Sequence, residues 1–179
     1  MIKKEGMEMT KMTSAYANKV LRKLNDDKDF WLTKEREGYL YVAAVDEEPV
    51  IPEYDYKEVS EKISEIDAKI VKIKHAINVA NCTNEIQLGD GKMTVDMILV
   101  KLAQLNKRRA FLDEMRKQQP KSRMNTGLYS ARKAVPEYQY INYDLELIKS
   151  EYEKIDAEVS AMQIALDKYN QTVEFDVDI

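Results

Sequence analysis

Val59-Ser60-Glu61-Lys62-Ile63-Ser64-Glu65-Ile66-Asp67-Ala68-Lys69-Ile70-Val71-Lys72-Ile73-Lys74-His75-Ala76-Ile77 is the stretch on which the fold turns. Its residues Val59, Ile63, Ile66, Ile70, Ile73 and Ile77 recur in alternating steps of four and three, which lines them along one seam of an α-helix. Between them stand Glu61, Lys62, Glu65, Asp67, Lys69, Lys72 and Lys74, opposite charges at helical spacing that suit a solvated face. The pattern predicts a helix over about 57–81.

The same alternation returns at Leu145, Ile148, Tyr152, Ile155, Val159, Met162, Leu166, Tyr169 and Val173, predicting a long helix over about 144–173. A third stripe, Val95, Ile98, Leu102, Leu105 and Leu112, predicts a helix over about 94–118, with Leu99 and Phe111 widening the apolar face and Arg109 interrupting it. Thr94 suits its N-cap, Asp96 complements the dipole in the first turn, and Pro120 closes it. Ala17, Val20, Leu21 and Leu24 suggest a further helix within about 10–35, with a break at Asn25-Asp26-Asp27 before Phe30, Trp31 and Leu32.

Two segments read differently. Tyr39-Leu40-Tyr41-Val42 is rich in β-formers, and Pro49 and Pro52 bar a helix until Tyr56, so a short strand is expected over about 39–45. After Pro136, Tyr138, Tyr140 and Asn142 alternate with Gln139, Ile141 and Tyr143, giving a second extended segment within about 128–142. If the helices from Val59 and Val95 form an antiparallel hairpin, these two segments lie at one end and can pair, with the 81–93 loop at the other. The expected class is therefore mainly α: one elongated domain of long antiparallel helices in a coiled-coil-like bundle, with a small sheet at one end.

Composition agrees with that class. The chain has 179 residues, 34% charged and 44% hydrophobic, with only five Gly and four Pro, a profile of long helices and short connections. Its formal charge of -4 gives no overall pull toward nucleic acid. Cys82 is the single cysteine, which rules out an internal disulfide and fits a reducing compartment. The first residues carry no apolar run long enough for a signal peptide, and the run from Leu40 to Val45 is far short of the roughly 20 residues of a membrane span. A cytoplasmic protein without a membrane span is expected.

The run from Ile77 to Leu112 carries a resemblance. It reads Ile77-Asn78, then Asn81 and Thr83-Asn84, a Gly89-Asp90-Gly91 turn with Lys92 and Thr94, and a helix bearing Leu102, Leu105, Arg108, Arg109 and Leu112. This succession resembles the septicolysin-like family of small bacterial coiled-coil proteins, in which an Ile-Asn-x-x-Asn/Thr-Asn segment, an Asp-Gly turn and an Arg-bearing helix recur in that order. The likeness continues weakly through Tyr129-Ser130 and the final helix, and departs where the family closes on Asn-Trp and this chain reads Tyr169-Asn170-Gln171-Thr172. The resemblance implies a helical coiled-coil protein, and the family name implies a cytolysin.

The remaining motifs offer little chemistry. Gly89-Asp90-Gly91-Lys92 lacks the spacing of a phosphate-binding loop, since Ile86 stands where Gly is needed and Met93 where Ser or Thr is needed. His75 is the sole histidine, without the Glu or second histidine of a bundle metal site, and it lies too far from Cys82 to activate it. Glu174, Asp176 and Asp178 form a short acidic run. No cofactor, metal site, small-molecule ligand or catalytic set is read, and an enzyme is not expected.

Two surfaces could bind something. Asn78, Asn81 and Asn84, with Thr83 and the Asp90 turn, place several amides together, which either cap the helix or meet a ligand or neighbouring subunit. Lys107, Arg108, Arg109 and Arg116 lead a basic segment over 101–133, where Tyr138 and Tyr140 nearby could stack bases. Glu146, Glu151, Glu153, Asp156 and Glu158 supply the opposing charge in the last helix. Helix-to-helix pairing accounts for both runs, so the expected function is a structural or protein-interaction bundle, a homo-oligomer joined through heptad seams. A nucleic-acid-binding module using the basic segment is the alternative.

Overall fold

The computed structural model describes residues 9–123 and 137–179. Its architecture is mainly α, with four helices and three two-stranded antiparallel ribbons among the described residues. In order these are β1 (Met9–Thr13), α1 (Ser14–Gly38), α2 (Tyr56–Thr83), β2 (Glu85–Leu88), β3 (Gly91–Thr94), α3 (Val95–Arg116), β4 (Lys121–Arg123), β5 (Tyr138–Tyr140), α4 (Leu145–Thr172) and β6 (Glu174–Asp178).

Side chains fix most helix starts. Asp55 accepts from the N–H groups of Lys57 and Glu58, Asp144 from those of Glu146 and Leu147, and the Thr13 hydroxyl from that of Tyr16. Thr94 does occupy the N-cap of α3, but it makes no side-chain cap bond; its hydroxyl donates to the Asp96 carboxylate instead.

The helices pack as two antiparallel pairs. α1 lies on α2, and α3 lies on α4, whereas α2 and α3 share only a small contact. The expected α2–α3 hairpin is thereby corrected. Heptad seams are interchangeable as partners: the Ile70 and Ile73 stripe closes on Ala17 and Leu21, and Ile98 and Leu102 close on Val159 and Met162. Each pair thus has its own core. The first is completed by Met12 and Val177 from the β1–β6 ribbon, the second by Ile86, Leu88 and Met93 from the β2–β3 hairpin.

The inner ends of all four helices meet between the pairs. β1 leads into α1 and pairs with β6, which leaves α4, in the register Met9↔Asp178 to Thr13↔Glu174. Neither strand follows from the sequence patterns, which place residues 10–13 in a helix and leave Glu174, Asp176 and Asp178 as a short acidic run. Gly89 takes φ 56° in the turn of the β2–β3 hairpin, a left-handed backbone that glycine adopts without strain.

Three further expectations are corrected. α1 runs unbroken through Asn25, whose amide donates to the Leu21 carbonyl (2.7 Å) one turn back, while Asp26 and Asp27 stay exposed. Residues 39–45 form no strand: Tyr39 caps α1, and Leu40 to Val45 are exposed with no strand beside them, so β-propensity alone has nothing to pair with. The second extended segment reduces among the described residues to Tyr138–Tyr140, which pairs with Lys121–Arg123 rather than with Tyr39; residues 128–136 lie outside the described residues.

Candidate interaction surfaces

The Asn-rich turn is structural at its centre. Asn84 caps α2 with its N–H on the Ala80 carbonyl, accepts the Val95 N–H at the start of α3, and donates its side-chain amide to the Tyr169 hydroxyl at 2.8 Å. That hydroxyl also reaches the Ala80 carbonyl at 3.5 Å. Tyr169 is buried, so Asn84 joins the ends of α2, α3 and α4 across the junction of the two pairs. Asn78 is exposed and Asn81 half-buried, and no side-chain bond holds either among the described residues. Asp90 sits exposed in the hairpin turn, away from Asn78.

The basic segment divides. Arg109 reaches across to Asp156 of α4 at 2.9 Å, and Lys101 to Glu158 at 2.6 Å. Arg116 pairs within its own helix with Asp113 and lies 3.9 Å over the Tyr152 ring. Lys117 shares Asp113, and hydrogen bonds from Lys117 and Arg116 hold that carboxyl below the usual carboxylate range. On α4, Glu146 and Glu151 pair with Lys149 and Lys154 of the same helix. Lys107 and Arg108 are exposed and have no ion-pair partner among the described residues.

Leu99 and Phe111 do not widen the buried stripe of α3. Both are exposed, because the core side of the helix is taken by Ile98, Leu102 and Leu112. Met97, Val100 and Phe111, 53%, 61% and 55% exposed, recur with Gln104 and Arg108 at helical spacing on the opposite side. The result is an outward stripe that is apolar at Met97, Val100 and Phe111, polar at Gln104 and Arg108 between them, and edged by Lys107.

At the outer end of the α3–α4 pair, the register Lys121↔Tyr140 and Arg123↔Tyr138 puts two tyrosines and two cations on one face of the β4–β5 ribbon. The Lys121 ammonium stands 4.2 Å from the Tyr138 ring centre and 5.4 Å from that of Tyr140. All four residues are exposed.

Two grooves flank the β1–β6 ribbon. One, of about 620 Å³, lies between the ribbon, α1 and α2. The other, about 500 Å³, carries Glu174, Asp176 and Asp178 opposite Lys72 and His75, with Lys72 paired to Asp178 at 3.6 Å. Among the described residues no group of three or more His, Cys, Asp and Glu is placed to hold a metal ion. No described helix is long and apolar enough to cross a membrane. Sequence reasoning found the charged and amide residues but neither groove nor the outward stripe of α3.

No family model matches the sequence, and no curated protein matches it. The fold is similar to that of the crystal structure of a functionally unknown conserved protein from Corynebacterium diphtheriae. The match covers 93% of this chain and 99% of that one, at 15% identity and a TM-score of 0.60. At that identity the likeness concerns the fold alone.

Proposed function

We propose that this chain is a structural or protein-interaction bundle of the cytoplasm, related to the septicolysin-like coiled-coil proteins, that assembles with further copies of itself. The observation that carries the reading is the outward stripe of α3. Met97, Val100 and Phe111 face away from the core of a helix that is already packed on its other side. Burying the exposed part of such a side chain is worth roughly 1 kcal/mol, about half the value for full burial, and a two-fold pairing of α3 with α3 covers the stripe on both chains at once.

Substituting Val100→Ser together with Phe111→Ser tests the stripe, since neither side chain supports the monomer's core. The expected result is an unchanged helical spectrum with a fall in assembled mass toward one chain. An assembled mass equal to that of the unsubstituted protein contradicts this face as the interface.

The β4–β5 face favours a second reading, a module that stacks single-stranded nucleic acid on Tyr138 and Tyr140 while Lys121 and Arg123 meet phosphates. Against it, the two cross-helix cations Lys101 and Arg109 already have carboxylate partners. Oligonucleotide binding is expected to be poor even at low salt, and reversing Arg108 and Arg109 to Glu to disturb assembly. Tight binding with a steep salt dependence, lost when Lys121 and Arg123 become Glu while mass and helicity stay intact, promotes the second reading.

A further inference from the structure

Among the described residues, the groove between α1, α2 and the β1–β6 ribbon is the one place where a concave apolar floor and free cations coincide. Its floor is made by Val20 and Leu24 of α1 above the buried Ile73 of α2, with Ile179 after β6 along one side. Around it stand Lys19 and Lys23, one turn apart on α1, and Lys69 across the groove on α2. None of the three has an ion-pair partner among the described residues, although Lys28 and Lys34 further along α1 are paired to Asp67 and Glu58 of α2. Asp27 is the single carboxylate side chain among the described lining residues. The volume of about 620 Å³ falls within the range of small-molecule sites.

We propose that this groove binds a single-chain aliphatic carboxylate, its apolar chain on Val20, Leu24 and Ile179 and its carboxylate between Lys19, Lys23 and Lys69. Each part of the lining selects one part of that ligand. The floor offers no polar side chain to satisfy a hydrophilic body, so a bare anion gains nothing from it. Lys19 and Lys23 repel each other at i,i+4 spacing, and a carboxylate between them and Lys69 relieves that repulsion through charge-assisted hydrogen bonds. A neutral chain of equal length lacks that interaction. The Tyr16 and Thr10 side chains at the same groove add hydroxyls for the second carboxylate oxygen. The inference is independent of self-association, because the groove lies on the α1–α2 pair and the outward stripe on α3.

The test is calorimetric titration of decanoate into the full chain, with decanol and inorganic phosphate titrated separately and the assembled mass measured on the same samples. Saturable decanoate binding at one site per chain is expected, with decanol and phosphate each at least roughly tenfold weaker. The double substitution Lys19→Gln and Lys23→Gln, on exposed positions that leave the core intact, is expected to weaken decanoate roughly tenfold with helicity unchanged. Lys168→Gln on α4 is expected to leave it unaltered. The proposal is overturned if decanoate does not bind, if decanol or phosphate binds as well as decanoate, or if the double substitution has no effect.

Discussion

Replacing Ile73 by Ala tests the first core where three elements close on it. Ile73 is 0% exposed and packs in a cluster with Met12 of β1, Ala17 and Leu21 of α1, Ile70 of α2 and Val177 of β6. An Ile-to-Ala truncation in such a site costs about 2–5 kcal/mol, from lost transfer energy and the void left behind. Ile73 lies just beneath the groove beside Lys69, so truncating it lets water reach part of that void, and a loss near the lower end, about 2–3 kcal/mol, is expected. That is a large share of the roughly 5–15 kcal/mol that holds a domain folded. Urea unfolding followed by far-ultraviolet circular dichroism measures it. Val71→Ala, two residues away but 66% exposed, is the control and is expected to stay within about 0.5 kcal/mol of the parent. Val159 belongs to the other cluster, so the Ile73→Ala and Val159→Ala losses should add to within about 0.5 kcal/mol. An Ile73→Ala protein as stable as Val71→Ala refutes the packing of α2 on α1 and the ribbon.

Ser14 is buried at the start of α1 with its hydroxyl unpartnered among the described residues, so Ser14→Ala is expected to raise stability by about 1 kcal/mol in the same urea assay. Gly38 lies under Tyr54, where an added Cβ would stand 2.5 Å from the Tyr54 Cβ; Gly38→Ala should displace the 39–55 connection and speed its proteolysis while the circular-dichroism spectrum stays helical. Asp113 is held below the ordinary carboxylate range by bonds from Lys117 and Arg116, so its contribution is present above the unfolded pKa of about 3.9 and is lost as pH falls through the lower folded value. The stability difference between the parent and Asp113→Asn should therefore shrink on acidification below about pH 4, and a difference that grows there counts against the pair.

The helices were legible because their signal is local. The seam from Val59 to Ile77 and that from Leu145 to Val173 show in steps of three and four without knowledge of any partner, and Val59, Ile70, Ile73, Ile148, Val159, Met162 and Tyr169 are indeed buried. Partner choice was not local. Ile70 meets Ala17 and Leu21 rather than the α3 stripe, and nothing in a heptad names its counterpart. The β1–β6 ribbon joins residues at opposite ends of the chain, although its cue was present: Phe175 and Val177 alternate with Glu174, Asp176 and Asp178 at strand period, and Val177 is buried. Leu99 and Phe111 misled because apolar character was taken for burial, when Ile98, Leu102 and Leu112 had already filled that side of the helix. Among the candidate site residues, Asn84 and Arg109 find partners in α4, at Tyr169 and Asp156, which no spacing within their own helices foretells. The lysine-rimmed groove needs β6 to bring Ile179 against α1, and so could not be seen before the ribbon was placed.

Self-association is the central claim, and sedimentation equilibrium of the full chain over a wide range of concentration tests it most directly. The outward stripe of Met97, Val100 and Phe111 predicts a mass that is a multiple of 20.8 kDa and that dissociates on dilution. A mass of 20.8 kDa at every concentration contradicts it.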